Sequence, residues 1–267
     1  MTTLLHRRHT ANALRELVDD APTTSATLTD DHRRSLSARF RAVTGTDHRR
    51  LDAWLVERAG QTTPGFSWSP VTARRLLGNA AARRVAHTGQ SLSAALSDEM
   101  NDQLLRVASG HARAGSLAYW LAGLSTPVQG LVVAEALNWA SSVLDAARQL
   151  PGALTVAASD AYYDVAGART TLRGRRDLIV GALEARVIVR LRSGAPGKSA
   201  GPGLRCDLTI ETLSDHDGRA PTRIIGLWPD AGVCLAVDGT MADLRAGARD
   251  LVRTAVAQRR QRLVLAA

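Results

Sequence analysis

Lysine is all but missing from this sequence: Lys198 is the only one in a chain whose lysines and arginines together number 34. The positive charge is therefore carried by guanidinium groups, which stay protonated at any cellular pH and bind oxyanions in a two-pronged geometry. The same bias, together with abundant Ala, Leu, Val and Gly, is what high-GC coding produces, so it also points to a high-GC bacterium. Cysteine is nearly as scarce. Cys206 and Cys234 each lack a CxxC partner, which excludes a disulfide framework and a zinc knuckle and leaves reduced, structural thiols. Aromatic residues make up 4% of the chain. Trp120 and Trp139 sit inside apolar helical runs and read as core, while Trp68 lies in a loop where it could make an exposed contact. Long apolar runs are absent too: "GLVVAEAL" is too short and too interrupted to span a bilayer. The opening "MTTLLHRRHTANALREL" has neither the apolar h-region nor the cleavage site of a secretory signal. A cytoplasmic protein without a membrane partner is the expectation. The seven histidines show no HExxH spacing. His6 and His9, at i and i+3, have no third ligand nearby and read as a solvated helix face. Ser67, Ser69 and Ser93 lack the context of a nucleophile elbow.

What is present is a chain of 267 residues, 45% hydrophobic and 22% charged, long enough to bury a substantial core. Its net charge of +9 favours an acidic partner, and nucleic acid is the commonest one. The first part has helical periodicity. "TANALRELVDD" places Ala11, Leu14 and Leu17/Val18 on one stripe, "LTDDHRRSLSARFRAVTG" does the same with Leu36, Phe40 and Val43, and "DHRRLDAWLVERAG" with Leu51, Trp54 and Leu55. The tetrad "DHRR" occurs twice, too short a unit to define a repeat. "QTTPGFSWSP" is a loop and the candidate boundary. Beyond Pro70 come three further helical stretches, and from Pro151 the texture changes to short β-branched runs split by Gly, Pro and Asp. A closing stretch, "MADLRAGARDLVRTAVAQRRQRLVL", returns to helix with a basic face. The expected layout is a helical region over residues 1–65 and a second domain over 66–267, with helices at 70–150, a strand-rich core at 151–240 and a final helix at 241–267.

One segment invites a nucleotide. "RLRSGAPGKSAGPG" holds Gly197-Lys198-Ser199 after a good buried strand, but a phosphate loop needs a glycine where Arg192 stands, because that glycine makes the tight turn. A helix should also begin at the Gly-Lys-Ser, and Gly201-Pro202-Gly203 argues against one. The segment reads as a loop between two strands that binds no nucleotide.

The neighbouring block "LRGRRDLIVGALEARVIVRLRSGAPG" carries a different pattern. Gly174 and Asp177 fit G-x-x-D, and "VIVRLRSG" fits, in apolar pattern and closing Gly194, a following strand of the type apolar-apolar-(D/E)-x-K-T-G. The block resembles the RecB-like branch of the PD-(D/E)XK nucleases. "FSWSPVTARRLL" is similar to the serine–proline entry to that family's helical part, and "APTRIIGLWPDAGVCLAVD" to the strand pair closing its sheet. The resemblance implies an α/β (α+β) fold with a mixed central sheet flanked by helices, like a restriction-endonuclease core. It also implies two carboxylates holding magnesium or manganese beside a phosphate, with a lysine assisting. Here Arg190 stands where the second carboxylate belongs and Arg192 where the lysine belongs. The family's glutamine–tyrosine helix motif is not matched in "LRCDLTIETL", and its upstream histidine has only His111 as a candidate.

The departures suggest a protein that binds without hydrolysing. Arg175, Arg176, Arg190 and Arg192 are the candidate phosphate contacts, with Arg190 and Arg192 expected to project beside Asp177 from one face of a strand. The leading expectation is a catalytically inactive nucleic-acid-binding protein needing no cofactor, alone or with protein partners in a DNA-processing complex. One alternative is an active metal-dependent deoxyribonuclease, using Asp177 with Asp164 or Glu184 and magnesium or manganese. The other is an interaction adaptor that binds no nucleic acid, its charge a product of genomic bias.

Overall fold

The computed structural model describes residues 6–8, 12–44, 49–53, 68–150, 154–182 and 185–265. The chain forms two compact units, one of residues 1–63, 149–155 and 159–267, the other of residues 64–148 and 156–158. It is an α+β protein, as its sequence texture implies.

The smaller unit is helical: α3 (Pro70–Thr88), α4 (Leu92–Ala108), α5 (Leu117–Ala122) and α6 (Thr126–Gln149). The Ser-Pro that marks its entry has a local cause. Ser69 caps α3 in a reciprocal box with Thr72, and Pro70 takes the first helical position, where a missing N–H costs nothing. Gly89 ends the helix in a left-handed conformation, φ 70°. Leu77, Leu96, Leu121 and Val132, one from each helix, meet in an apolar core filled out by alanines. Gly78 lets α3 approach α6: a β-carbon there would stand 2.8 Å from the Trp139 ring.

The larger unit is built on two sheets. The first has the order β1 (His6–Arg8), β9 (Val233–Asp238), β8 (Arg223–Trp228), β7 (Val187–Leu191), β6 (Leu178–Val180), β3 (Leu154–Val156). β1 with β9, β9 with β8 and β6 with β7 pair antiparallel, while β7 and β8 are parallel and joined through α7 (Ala200–Ser214). The second sheet has the order β2 (Arg49–Asp52), β5 (Thr170–Gly174), β4 (Ala161–Asp164). The remaining helices are α1 (Ala13–Asp19), α2 (Asp30–Thr44) and α8 (Met241–Leu265).

Alternation along the strands decides which side chains meet α7. Ile188, Ile224, Trp228, Val233, Leu235 and Val237 share one apolar core with Leu204, Leu208 and Ile210 of α7. On the opposite face Arg223 donates to the Leu17 carbonyl at 2.6 Å, tying α1 to the sheet. Leu172 and Ala161 of the small sheet belong to the same core as α7, so this helix has protein on almost every side and buries twelve of its residues. Directly after β6, Gly181 sits at φ +87°, and a side chain there would press on the Ala185 carbonyl.

Three expectations change. Residues 49–52 are strand, not helix. The 3–4 spacing of Leu51, Trp54 and Leu55 favours a helix locally, but parallel pairing with β5 satisfies this backbone and buries Leu51 in the core. Trp54 and Leu55 lie outside the described residues. The first 63 residues are not a region apart: α2 contributes Phe40 to the main core, and they belong with the sheets while helices 70–148 stand as their own unit. His6 lies on a strand, paired opposite Ala236, and His9 lies outside the described residues.

Candidate functional site

The hairpin β6–β7 and the helix α7 build the centre of the larger unit. The register that pairs Leu178 with Val189 carries Asp177 to the level of Arg190. Asp177 is 1% exposed, its amide donates to the Val189 carbonyl at 3.1 Å, and its Oδ2 accepts the Leu191 amide at 2.9 Å. This aspartate extends the hairpin past its last strand residue.

Arg190 points the other way from that expected of a phosphate ligand in an open cleft. Ile188 and Arg190 both face α7, and Arg190, 1% exposed, meets the carboxylate of Asp207, which has no exposure at all. Arg192 has a different neighbour. Arg192 follows the strand, its amide bonds the Leu227 carbonyl, and its guanidinium lies over the Trp228 ring, 5.7 Å from the centroid. Loss of water lowers its pKa to about 10.

Asp207 and Glu211, four residues apart on α7, lie on one helix face and hold Arg175 and Arg176. Asp207 Oδ1 accepts the Arg175 amide at 3.2 Å, and Glu211 holds Arg176 at 3.0 Å. Gly174 lies between them: a β-carbon there would stand 3.3 Å from Ile210 and 3.5 Å from Asp207. Arg173 bonds Asp160 at 2.6 Å, and Arg186, before β7, bonds Asp215 at 2.8 Å. Burial pushes the Glu211 carboxyl up to about 7 against the pull of Arg176 and Arg186. Sequence reasoning missed both acids. The signal was there, as two carboxylates at i and i+4 within an otherwise apolar run, "GLRCDLTIETL".

Of the proposed metal ligands, Asp177 and Asp164 lie among the described residues. Asp164 is exposed on β4, where it accepts the Thr171 hydroxyl at 2.6 Å, and Glu184 lies outside the described residues. Among the described residues no three His, Cys, Asp or Glu side chains are grouped to hold a metal. At the level of Asp177 the described partner is the Arg190 guanidinium and not a second carboxylate. His111 sits exposed in the helical unit, its Nδ1 2.8 Å from the Ser109 hydroxyl.

The Gly-Lys-Ser segment differs from expectation in one respect. α7 begins at Ala200, directly after Ser199, so the order is strand, loop, helix. Pro202 does not prevent this because it lies in the first turn, where N–H groups have no intrahelical acceptor. The turn glycine is still missing at Arg192, and the Gly194 amide already donates to Asp230 at 2.9 Å.

No protein-family model, curated protein or solved structure matches this chain. The likeness to RecB-like nucleases therefore rests on the sequence pattern of the hairpin and its flanks. No helix among the described residues is long and apolar enough to cross a membrane. Cys206 and Cys234 are buried free thiols, both pushed up by burial.

Proposed function

We propose that this chain is a cytoplasmic nucleic-acid-binding protein on a nuclease-like core that has lost hydrolysis. The observation that carries this reading is the Arg190–Asp207 pair: at the level of Asp177, where a second metal-binding carboxylate would be needed, a buried arginine is neutralised from α7. The centre then serves cohesion, since α7 is fastened to the hairpin by two carboxylates and three points of the 173–190 stretch. The β6–β7 hairpin, the crossover through α7 to a parallel β8 and the antiparallel β9 support the nuclease-like assignment. The net charge of +9 supports an anionic partner.

The test is a cleavage assay on single- and double-stranded DNA with magnesium or manganese, run beside Asp177→Ala. No cleavage by either protein is expected, with duplex DNA still retained in a binding assay. Cleavage that survives rigorous purification and is lost in Asp177→Ala would replace this reading with an active nuclease.

A protein partner is supported by a separate observation. Val71, Leu105, Tyr119 and Leu131 of the helical unit are each more than half exposed, apolar side chains that a protein partner would cover.

A further inference from the structure

We infer that the solvent face of α8 is where this protein holds duplex DNA, by its phosphate backbone. The inference rests on the nucleic-acid-binding reading above and moves the contact away from the hairpin arginines. Arg173, Arg176, Arg186 and Arg190 each meet a carboxylate inside the fold. Those charges are already answered.

α8 is arranged differently. Asp243, Leu244, Gly247, Leu251, Thr254 and Ala255 turn inward, and the exposed row on the other side reads Ala242, Arg245, Arg249, Arg253, Ala257. The three arginines are spaced four residues apart, so each stands about 6 Å along the axis from the next. The helix's two acids leave this row uncovered. Asp243 is buried and accepts the Thr240 hydroxyl at 2.6 Å, while Asp250 lies 3.8 Å from Arg205 of α7 and 3.6 Å from Arg253. Arg253 nevertheless keeps a side chain 78% exposed, and so open a pair contributes little. From residue 251 to the end the sequence has four arginines and no acid.

The row runs about 12 Å from Arg245 to Arg253, the axial length of three to four phosphates on one strand of a duplex at ~3.4 Å each. At about 6 Å apart, the three arginines match about every second phosphate along that axis. A lipid surface is the poorer match. Membrane-surface helices insert an apolar side beneath the headgroups, and the apolar side of α8 is taken by the core it shares with α7. Short alanines at both ends of the row leave the guanidinium groups standing clear, and such contacts position a protein without reading bases.

The experiment compares the whole chain with its Arg245→Ala/Arg249→Ala/Arg253→Ala variant, using fluorescence anisotropy of a labelled mixed-sequence duplex across a salt series. Alanine is the best helix former, so the variant should keep its circular dichroism and urea midpoint. The slope of log affinity against log salt should shrink by about three units, and duplexes of different sequence should weaken alike. The triple lysine variant should retain most of the slope. A control removes Arg34 of α2 and Arg148 of α6, arginines as exposed as Arg253 that lie off α8; its slope should stay near wild type. If the wild type binds but the folded alanine variant keeps the same affinity and slope, DNA is held elsewhere: this inference falls and the binding reading stands. An equal loss of slope in the control would also overturn it, as an effect of net charge. If the wild type binds no duplex even at low salt, both fall.

Discussion

Arg190 on β7 and Asp207 on α7 form an ion pair at 1% and 0% exposure, and Asp207 also receives the backbone amide of Arg175. One carboxylate thus joins a strand, a helix and the start of the hairpin. Removing either partner leaves a charge in a place water does not reach. Arg190→Ala or Asp207→Ala should each lower unfolding stability by roughly 3–5 kcal/mol. The double variant Arg190→Met/Asp207→Leu should lose less than either, because no uncompensated charge remains. Urea unfolding of the three variants tests this, and single losses under about 1 kcal/mol would show that the pair does not hold the centre.

Glu211 gives a pH signature of unusual sign for a carboxylate. Its folded-state value near 7 lies above the ordinary 4.5, because burial outweighs Arg176 and Arg186. Between those values the folded chain keeps a proton that the unfolded chain has released. The stability so contributed is complete below pH 4.5 and is lost as pH rises through 7. Glu211→Gln, which is neutral at every pH, should gain on wild type across this window by up to about 1.4 kcal/mol per pH unit and keep a constant lead above it. A wild-type–variant difference that does not move between pH 4.5 and 7 would contradict the assignment.

Gly247 sets the closeness of α7 and α8. The Cys206 thiol reaches its carbonyl at 3.5 Å, and a β-carbon would collide with the Arg205 carbonyl and the Thr209 hydroxyl. Gly247→Ala should therefore destabilise by about 1–3 kcal/mol despite alanine's helix propensity. Gly130 on α6 has no atom within 4 Å of such a carbon, so Gly130→Ala should stabilise by roughly 0.5–1 kcal/mol. Thermal melts of the two variants should move in opposite directions.

The loop before α7 should bind no nucleotide. Arg192 occupies the turn-glycine position with its side chain over Trp228, and Asp230 holds the Gly194 amide that a phosphate would need. Titration with ATP and magnesium should give no heat, and micromolar binding that vanishes in Lys198→Ala would contradict this.

Much of the architecture was legible because local pattern and tertiary environment agreed. The β-branched run "ARVIVRLR" is a buried strand, "FSWSP" leads into a capped helix, and Phe40 turns to the core from the stripe that named it. Where they disagreed, long-range pairing prevailed. Leu51 belongs to a strand because β5, more than a hundred residues later, supplies its hydrogen bonds. The candidate site was legible in its backbone and not in its charges. Spacing along the hairpin placed Asp177 and Arg190 side by side, but which way Arg190 is answered depends on α7, and a strand's alternation does not say what packs against it. Asp207 and Glu211 were missed because "RCDLTIETL" has the texture of the strand-rich core expected over 151–240, whereas Ala200–Ser214 is a helix.

The central claim, nucleic-acid binding without hydrolysis, is met most directly by titrating labelled duplex DNA with the whole chain in magnesium at several salt concentrations and recovering the DNA afterwards. Affinity should fall linearly on a log–log plot against salt, as counterion release requires, and the DNA should be recovered intact at every point. No binding at low salt, or DNA shortened in proportion to the protein added, would contradict it.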